Sequence, residues 1–505
     1  MNCITNKILP GRRGEGNTFV EISSPARLVV FFYFAIWRFL PEFSLFIQSF
    51  SYDPVLALLL FLVRLCSDFL LILPFSLKSI SGTPIGWLHP LILPTIVSIG
   101  LDLAKNPFVL FKPLMIFLSM ADVKIEHAIL GNFSELESLE INIKLAILVL
   151  LGHVSYLVGY FLFYVNATPL NNSRRYLFSN TKMVALCVSC LFVFFYMISI
   201  SGGFVAHFSK IAYGRARMAE DIGHLLVVVR FFPYLLAFWY LLRPEVFSKI
   251  WFWILFLIAL IFTFVATGSR SGLFWPIVTL LVSWMLLNGK VPVFRFLFVA
   301  ILAFLLVGIL GELRISSARN DGVADFSVLS QFDLDKSITS TSKSIEESKA
   351  VSGSVAVLAT VPQEVPRLHG MSYLGSLLFF VPRVIWPEKP RGAGAYVGAL
   401  IYEKLESAEG YLGTSYPMSG EIEAYWNFGY YFVLIVFFFF GAFHKYITIW
   451  FMRDSSNPYR AIVFIVTLLS FDDPSSLNFS RYFQFFILIF ISWFFVRKKN
   501  SISFK

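Results

Sequence analysis

Arginines and a few carboxylates are the residues of this sequence whose types could carry out chemistry. The sequence holds no GxxxxGK(S/T) phosphate-binding loop and no HExxH zinc motif. Its seven histidines lack the spacing of metal ligands, and no acidic cluster has the pattern of a magnesium site. An arginine, by contrast, presents a planar set of donors that fits phosphate oxygens. The residue types therefore predict recognition of a phosphate-bearing substrate, with no metal and no other cofactor.

Long apolar segments must position these residues, because the composition excludes a water-soluble domain. Hydrophobic residues occupy 57% of the 505 positions and charged residues 14%, whereas soluble proteins carry about 25% charged residues. Apolar runs long enough to cross the hydrocarbon core as helices recur along the chain, and the short alternating segments of a β-barrel are absent. The sequence predicts an all-α polytopic membrane protein with about 12–13 transmembrane helices.

The sequence pattern supports some of the predicted crossings better than others. The run at 106–120 is short, and the run at 28–50 is interrupted by Arg38, Pro41 and Glu42. The sequence therefore leaves open whether these two segments cross the membrane. The other predicted crossings are residues 54–77, 84–104, 144–166, 183–206, 223–242, 250–267, 271–287, 293–311, 423–443, 460–478 and 481–496.

Lysines and arginines in the short connections predict the orientation, because such residues favour the cytoplasmic side of a membrane. The basic tail 497–499 and the basic turns between alternate pairs of crossings all fall on one side. The long segment before the last three helices then lies outside as one large extracytoplasmic loop. This topology also explains the net charge of +10, so no nucleic-acid partner is expected. The predicted regions are N-terminal helices 1–311, a periplasmic loop 312–422, and C-terminal helices with a cytoplasmic tail 423–505.

Several cations fall on the predicted outer face, against the rule that oriented the helices. Such residues are costly to translocate, so we expect them to have a task there. Residues 362–421 add interleaved glycines, prolines and aromatic side chains, and aromatic rings offer stacking surfaces for sugars. Together these features predict a phosphate-bearing lipid with an attached glycan as the substrate. The outer cations are Lys210, Arg215, Arg217, Arg270, Arg314, Arg319 and Arg481.

Three segments resemble bacterial O-antigen polymerases of the Wzy type, also called oligosaccharide repeat unit polymerases. They are TGSRSG at 267–272, VPRVIWPEKP at 381–390 and GTSYPMSGEIEAYWNFG at 413–429. The resemblance implies a GT-C-like fold in the bacterial inner membrane, with the active site facing the periplasm. It also implies metal-independent transfer of a growing glycan from undecaprenyl pyrophosphate to the non-reducing end of a new lipid-linked repeat unit. The implied partners are the undecaprenyl-pyrophosphate-linked oligosaccharide, membrane lipids and a chain-length regulator protein.

The resemblance further implies roles for individual residues of this sequence. Arg270, with Arg215 or Arg217, would neutralise the departing pyrophosphate. Glu421 is the first candidate to accept the proton of the acceptor hydroxyl, and His369 is the second. The remaining candidates for binding pyrophosphate or glycan are Arg314, Arg383, Lys389, Tyr425 and Asn427.

Two other functions remain open on the sequence alone. An O-antigen ligase, whose acceptor is lipid A-core, also has a large outer loop. A lipid-linked oligosaccharide flippase, which is a transporter, would share the substrate but should carry its cations inside the helical bundle. Arg64 and Asp68, four residues apart on an apolar helix, favour the flippase, but a pair that satisfies itself is the simpler explanation.

Overall fold

Helices make up about four fifths of the chain that the computed structural model describes. Seven of the described helices are long and apolar enough to cross a membrane, so the chain is an all-α, multi-pass membrane protein, as predicted. These seven are Pro54–Ser76, Leu136–Leu162, Asn180–Ile200, Ile222–Leu242, Ile250–Thr267, Tyr430–Met452 and Ser476–Val496. The described residues are 19–80, 83–92, 95–96, 134–163, 178–204, 206–207, 215–267, 271–291, 349–378, 381, 385–401, 418–470 and 473–497.

The described helices follow one another in chain order. They are α1 Ser24–Phe34, α2 Leu40–Phe50, α3 Pro54–Ser76, α4 Glu135–Leu162, α5 Asn180–Ile200, α6 Arg215–Leu242, α7 Ile250–Thr267, α8 Ser271–Asn288, α9 Lys349–Thr360, α10 Met371–Leu377, α11 Ala393–Ile401, α12 Gly420–Phe428, α13 Tyr430–Met452, α14 Pro458–Ser470 and α15 Ser476–Val496. A π-helical turn, Ala35–Phe39, joins α1 to α2, and the 3-10 turn Pro244–Ser248 follows α6. Two short strands, β1 Ser79–Ile80 and β2 Thr83–Pro84, pair antiparallel after α3.

Polar side chains fix where several long helices begin. Asp53 accepts hydrogen bonds from the amides of Val55 and Leu56, at 2.8 and 2.9 Å, directly before α3. Ser134 and Glu137 form a reciprocal capping box at the start of α4. These caps satisfy first-turn amides that have no carbonyl partner in the helix. In a membrane protein this matters because an unsatisfied backbone group in hydrocarbon is costly.

Several predicted crossings differ from the helices that form. The segment predicted at 84–104 begins in β2 and a series of turns. The crossing predicted at 423–443 is displaced, because the chain turns at Gly429 with a φ of +84° and the spanning helix is α13. Helix α14 ends at Ser470, before the predicted end of its crossing. An apolar run follows Gly429 directly, so hydropathy did not report that turn, whereas the polar segment after Ser470 does mark the end of α14. The crossings predicted at 106–120 and 293–311 lie outside the described residues.

The predicted pairing of Arg64 with Asp68 is wrong. Arg64 instead donates to both carboxylate oxygens of Glu42 at 3.1 Å and to Oδ1 of Asn142 at 3.2 Å. Among the described contacts it makes no hydrogen bond or ion pair with Asp68. Residues on neighbouring helices therefore satisfy this guanidinium, and the bonds join α2, α3 and α4.

The described part of the region 312–422 packs onto the helical bundle. Helix α9 contacts α4 and α11, and α10 contacts α15. Buried residues of α9 and α12 form one apolar core with buried residues of α4 and α13. This core holds α12 in a fixed place beside the membrane-spanning helices. Its members from α9 and α12 include Val355, Leu358, Ile422 and Trp426.

Helices α4 and α13 approach each other unusually closely because two glycines lie in their interface. A Cβ atom at Gly159 would clash with the backbone carbonyl of Phe438, and one at Gly441 would clash with that of Tyr156. Small residues allow membrane helices to come this near and to gain packing energy along their length. The close approach brings the polar side chains of the two helices into contact.

Candidate functional site

Gly429 turns the chain so that α12 folds back against α13. Its φ of +84° lies in the left-handed region that glycine adopts without strain. Glu421 and Phe437 are equally far from Gly429 along the chain, and both lie within 3.4 Å of the position that a Cβ at Gly152 would occupy. The two helices are therefore antiparallel where they meet α4. As a result, the first turn of α12 lies level with the start of the third turn of α13.

The beginnings of α12 and α15 are tied together by two carboxylates. Asp473, just before α15, accepts a hydrogen bond from the amide of Gly420 at 2.9 Å. Glu423, in α12, accepts one from the amide of Ser476 at 2.9 Å. Each carboxylate thus neutralises the positive end of the other helix. The arrangement needs a glycine at 420, because a Cβ there would clash with a carboxylate oxygen of Asp473.

Glu421 lies in the space between these helix ends and α4. Its side chain is 9% exposed. A Cβ at Gly152 would come within 2.9 Å of its Cγ and 3.3 Å of its Oε1, so Gly152 leaves the room that this carboxylate occupies. Glu421, the first candidate proton acceptor implied by the resemblance, is thus buried against the middle of a membrane helix.

A cavity of about 340 Å³ opens between α3, α4, α12 and α13, and Glu421 forms part of its wall. Asp473 lines the cavity near Glu421, and His153, Tyr156 and His444 line it farther along the helices. The remaining wall is mostly apolar. A cavity that combines carboxylates and imidazoles with an apolar lining is suited to binding a ligand and transferring its proton.

Hydrogen bonds hold the histidines of the cavity in place. Nδ1 of His153 lies 2.8 Å from Oγ of Ser67, and Nδ1 of His444 lies 2.8 Å from the hydroxyl of Tyr156. In each pair the tautomer of the ring decides which group donates. Both pairs cross between helices, so they orient the imidazoles and join α3, α4 and α13.

Burial changes the proton affinity of the acidic groups around α12. It raises the pKa of Glu421 and of Glu423 above the usual range of a glutamate. It also raises the pKa of the Tyr373 hydroxyl, and the nearby carboxylates of Glu423, Asp473 and Glu421 raise it further. That hydroxyl is buried and has no hydrogen-bond partner among the described residues. Three carboxylates and a phenol therefore share one poorly hydrated region.

Tyr425 and Asn427 take part in structural contacts of α12. Asn427 is fully buried, accepts a bond from the amide of Gly370 at 2.8 Å and donates to Oγ of Ser372 at 2.9 Å. Tyr425 is 5% exposed, and its hydroxyl donates to the carbonyl of Val361 at 3.3 Å. These bonds attach α12 to the start of α10 and the end of α9. Their predicted contact with glycan is untested, and in this conformation neither side chain faces open space.

His369 and Lys389 lie away from Glu421 on the described loop. His369 is exposed, adopts a φ of +48° and has its ring 6.4 Å from that of Phe428. Lys389 donates to the carbonyl of Val381 at 3.2 Å. The structure therefore does not bring these two candidates into the cavity wall with Glu421.

The arginines assigned by resemblance cannot be compared with the cavity. Arg270, Arg314 and Arg383 lie outside the described residues. Arg215 and Arg217 belong to the first turn of α6, but the described part of the chain does not include their side chains. Their predicted roles at the pyrophosphate stay predictions.

Three polar residues of the cavity wall were not predicted from the sequence: His153, His444 and Asp473. Both histidines had been set aside because their spacing does not suit a metal. The signal that could have identified them is their position, since an ionisable residue inside an apolar helix is a functional candidate by default. Asp473 belongs to the short polar segment DDPSS between two apolar helices, which could have been compared with the predicted site.

No protein-family model, no curated protein and no solved structure matches this chain. The class of protein, a multi-pass helical membrane protein, therefore follows from the chain's own helices.

Proposed function

We propose that this protein is a lipid-linked glycan polymerase of the bacterial inner membrane with a GT-C-like helical bundle. The region 312–422 would face the periplasm, where the lipid-linked repeat units are joined. The observation that carries the proposal is the position of Glu421, a buried carboxylate in the wall of a cavity among membrane-spanning helices. The resemblance of residues 413–429 to O-antigen polymerases supports the same assignment.

The proposed reaction assigns a proton transfer to Glu421. The hydroxyl at the non-reducing end of the new repeat unit attacks the anomeric carbon of the growing chain. The bond from that carbon to the pyrophosphate oxygen breaks, and undecaprenyl pyrophosphate leaves with the electron pair. The proton of the attacking hydroxyl passes to Glu421. Because burial raises its pKa, this carboxylate is a stronger base than an exposed glutamate.

Gly152 and the helix ends would keep this base in one position. The carboxylate is confined between α4 and the reciprocal contacts of Asp473 with Gly420 and of Glu423 with Ser476. A base that cannot move away from its substrate loses little entropy in the reaction, which favours proton transfer. The partly apolar cavity would also limit competing attack by water.

The test is the lipopolysaccharide pattern of a strain that lacks the gene and is complemented with variants. The wild-type chain should restore a ladder of O-chains, whereas Glu421→Gln should leave one repeat unit per core, because the amide cannot accept the proton. A drop on the order of a hundredfold or more is expected for loss of a general base. Glu245→Gln is the matched control, since Glu245 is an exposed partner of Arg243.

Membrane immunoblots must show equal amounts of each variant. A normal ladder from Glu421→Gln would overturn the assignment of the base. A deletion strain with bare core, in place of core plus one repeat, would instead favour the ligase or the flippase.

A lipid-linked glycan flippase is the second candidate, because ionisable side chains line the cavity inside the bundle. His153, His444 and Glu421 share one cavity, and such groups within membrane helices often mark proton relays of transporters. A flippase would move the lipid-linked repeat unit across proteoliposomes without joining units. A polymerase would join them without needing a proton gradient. Measuring both in the same reconstituted sample separates the two functions.

A further inference from the structure

Two arginines lie on neighbouring helices where α6 packs against α15. The ring centroids of Tyr234 and Phe485 lie 4.6 Å apart, and those of Phe231 and Phe485 lie 6.1 Å apart. Arg230 precedes Tyr234 by about one helical turn, and Arg481 precedes Phe485 by the same interval. Phe238, one turn after Tyr234, has its ring 6.5 Å from that of Trp493, so the two helices run in the same direction. Arg230 and Arg481 therefore lie at the same level of adjoining helices.

The two guanidinium groups repel each other. The charge of Arg481 acts on Arg230, and both charges act on Tyr234. Within the described part of the chain, neither arginine has a hydrogen-bond or ion-pair partner. Other arginines of the same bundle are engaged, which makes this pair unlike them. These are Arg27 with two carbonyls, Arg64 with Glu42, Arg243 with Glu245, Arg367 with a carbonyl and Arg460 with a carbonyl.

A pair of like charges on apolar helices is costly, because low polarity strengthens their repulsion and removes hydration. An anion with several oxygens would relieve that cost. Each guanidinium offers a planar set of donors, so two of them can bind two or more oxygens of one phosphate-type group. Arg230 has an exposed surface, which leaves room for such a ligand. Close to Arg481 along α15, the Gln484 amide donates to Oγ of Ser480 at 3.3 Å.

We propose that Arg230 and Arg481 form a binding site for a pyrophosphate or phosphate group. Assigning that group to the carrier lipid of a glycan rests on the proposed function. The two sites would then share one helix: Arg481 lies about 7.5 Å along α15 from Ser476, whose amide is bound by Glu423. Glu421, the proposed base, precedes Glu423 in α12. A substrate held by its phosphates at Arg481 would thus lie near the carboxylates at the start of α15.

The experiment measures binding to the purified full-length protein in nanodiscs, without any polymerisation. The two probes are inorganic pyrophosphate and a polyprenyl pyrophosphate. The wild-type protein should bind at least one of them, and Arg230→Gln and Arg481→Gln should each weaken that binding at least about tenfold, because a charge-assisted bidentate contact is lost. Arg243→Gln is the matched control and should bind like the wild type, since Arg243 pairs with Glu245 just beyond the end of α6.

The lysine variants check for unfolding. Arg230→Lys and Arg481→Lys keep the charge but lose the planar fork, so they should bind more weakly than wild type while keeping its melting temperature. Binding of the lipid probe alone assigns the site to a lipid carrier, and equal binding of inorganic pyrophosphate assigns it to the free anion. The proposal is overturned if the wild type binds neither probe, or if both glutamine variants bind like the wild type. No glycan is joined in this assay. The measured binding therefore does not depend on whether the protein is a polymerase.

Discussion

The hydroxyl of Tyr156 lies 2.8 Å from Nδ1 of His444, across the interface between α4 and α13. This contact is possible because Gly159 and Gly441 let the two backbones approach closely. It places an imidazole in the wall of the cavity that also contains Glu421. The polar site of this protein therefore depends on glycines that themselves carry no functional group.

Substituting the interface glycines should destabilise the protein. Gly159→Ala and Gly441→Ala would place a methyl group against a backbone carbonyl, which cannot move as a flexible side chain can. We expect each variant to lose about 1–3 kcal/mol, as for overpacking in a core. Gly223→Ala in α6 is the control, because a Cβ there meets no atom within 4 Å. Melting temperatures in detergent should fall for the first two variants and rise slightly for the control.

Gly152→Ala should reduce activity by displacing the proposed base. The added methyl group would lie 2.9 Å from Cγ of Glu421 and 3.3 Å from its Oε1, so the carboxylate must shift. A small displacement of a catalytic group can cost about a hundredfold in rate. The O-chain ladder in the complemented deletion strain is the readout. If Gly152→Ala supports a full ladder at normal protein levels, the base does not need its present position.

The stability of the protein should fall as pH rises above the ordinary range of a carboxylic acid. Burial raises the pKa of Glu421 in the folded state, so folding takes up a proton between the unfolded value of about 4.3 and the raised folded value. In that window the free energy of unfolding decreases with rising pH. Glu421→Gln removes this contribution.

We therefore expect Glu421→Gln to melt at a higher temperature than the wild type at neutral pH, and to depend less on pH. Differential scanning fluorimetry from acidic to neutral pH measures both. Identical pH profiles for the two proteins would mean that Glu421 is hydrated in solution, contrary to its burial in the structure.

The orientation of the helices can be tested with reporter fusions. The basic turns predict that the region 312–422 lies outside the cytoplasmic membrane and that the connection after α13 lies inside. Alkaline phosphatase fused after Ser354 should be active, whereas the same fusion after Asp454 should be inactive. Since α12 and α13 are joined only by Gly429, the reverse pattern would place Glu421 on the cytoplasmic side of its cavity. The proposed periplasmic reaction would then be excluded.

The amino-acid sequence by itself determined that this chain is a bundle of membrane helices. Hydrophobic composition and run length decide that question locally, because each helix satisfies its own backbone in hydrocarbon. The resemblance of residues 413–429 to O-antigen polymerases also singled out Glu421. Helix caps, such as Asp53 directly before Pro54, also depend only on residues that are neighbours in the sequence.

Contacts between segments that are distant in the sequence determined which polar side chains lie together. Glu421 meets Gly152, Tyr156 meets His444, and Arg230 comes level with Arg481 only because particular helices pack together. Apolar faces of similar helices pair by shape and by small residues, and hydropathy does not record these features. For the same reason, hydropathy did not predict that Arg64 would bind Glu42 of a neighbouring helix instead of Asp68 of its own helix. The chain's own pattern thus specifies its helices, while the tertiary structure selects which buried polar groups share a site.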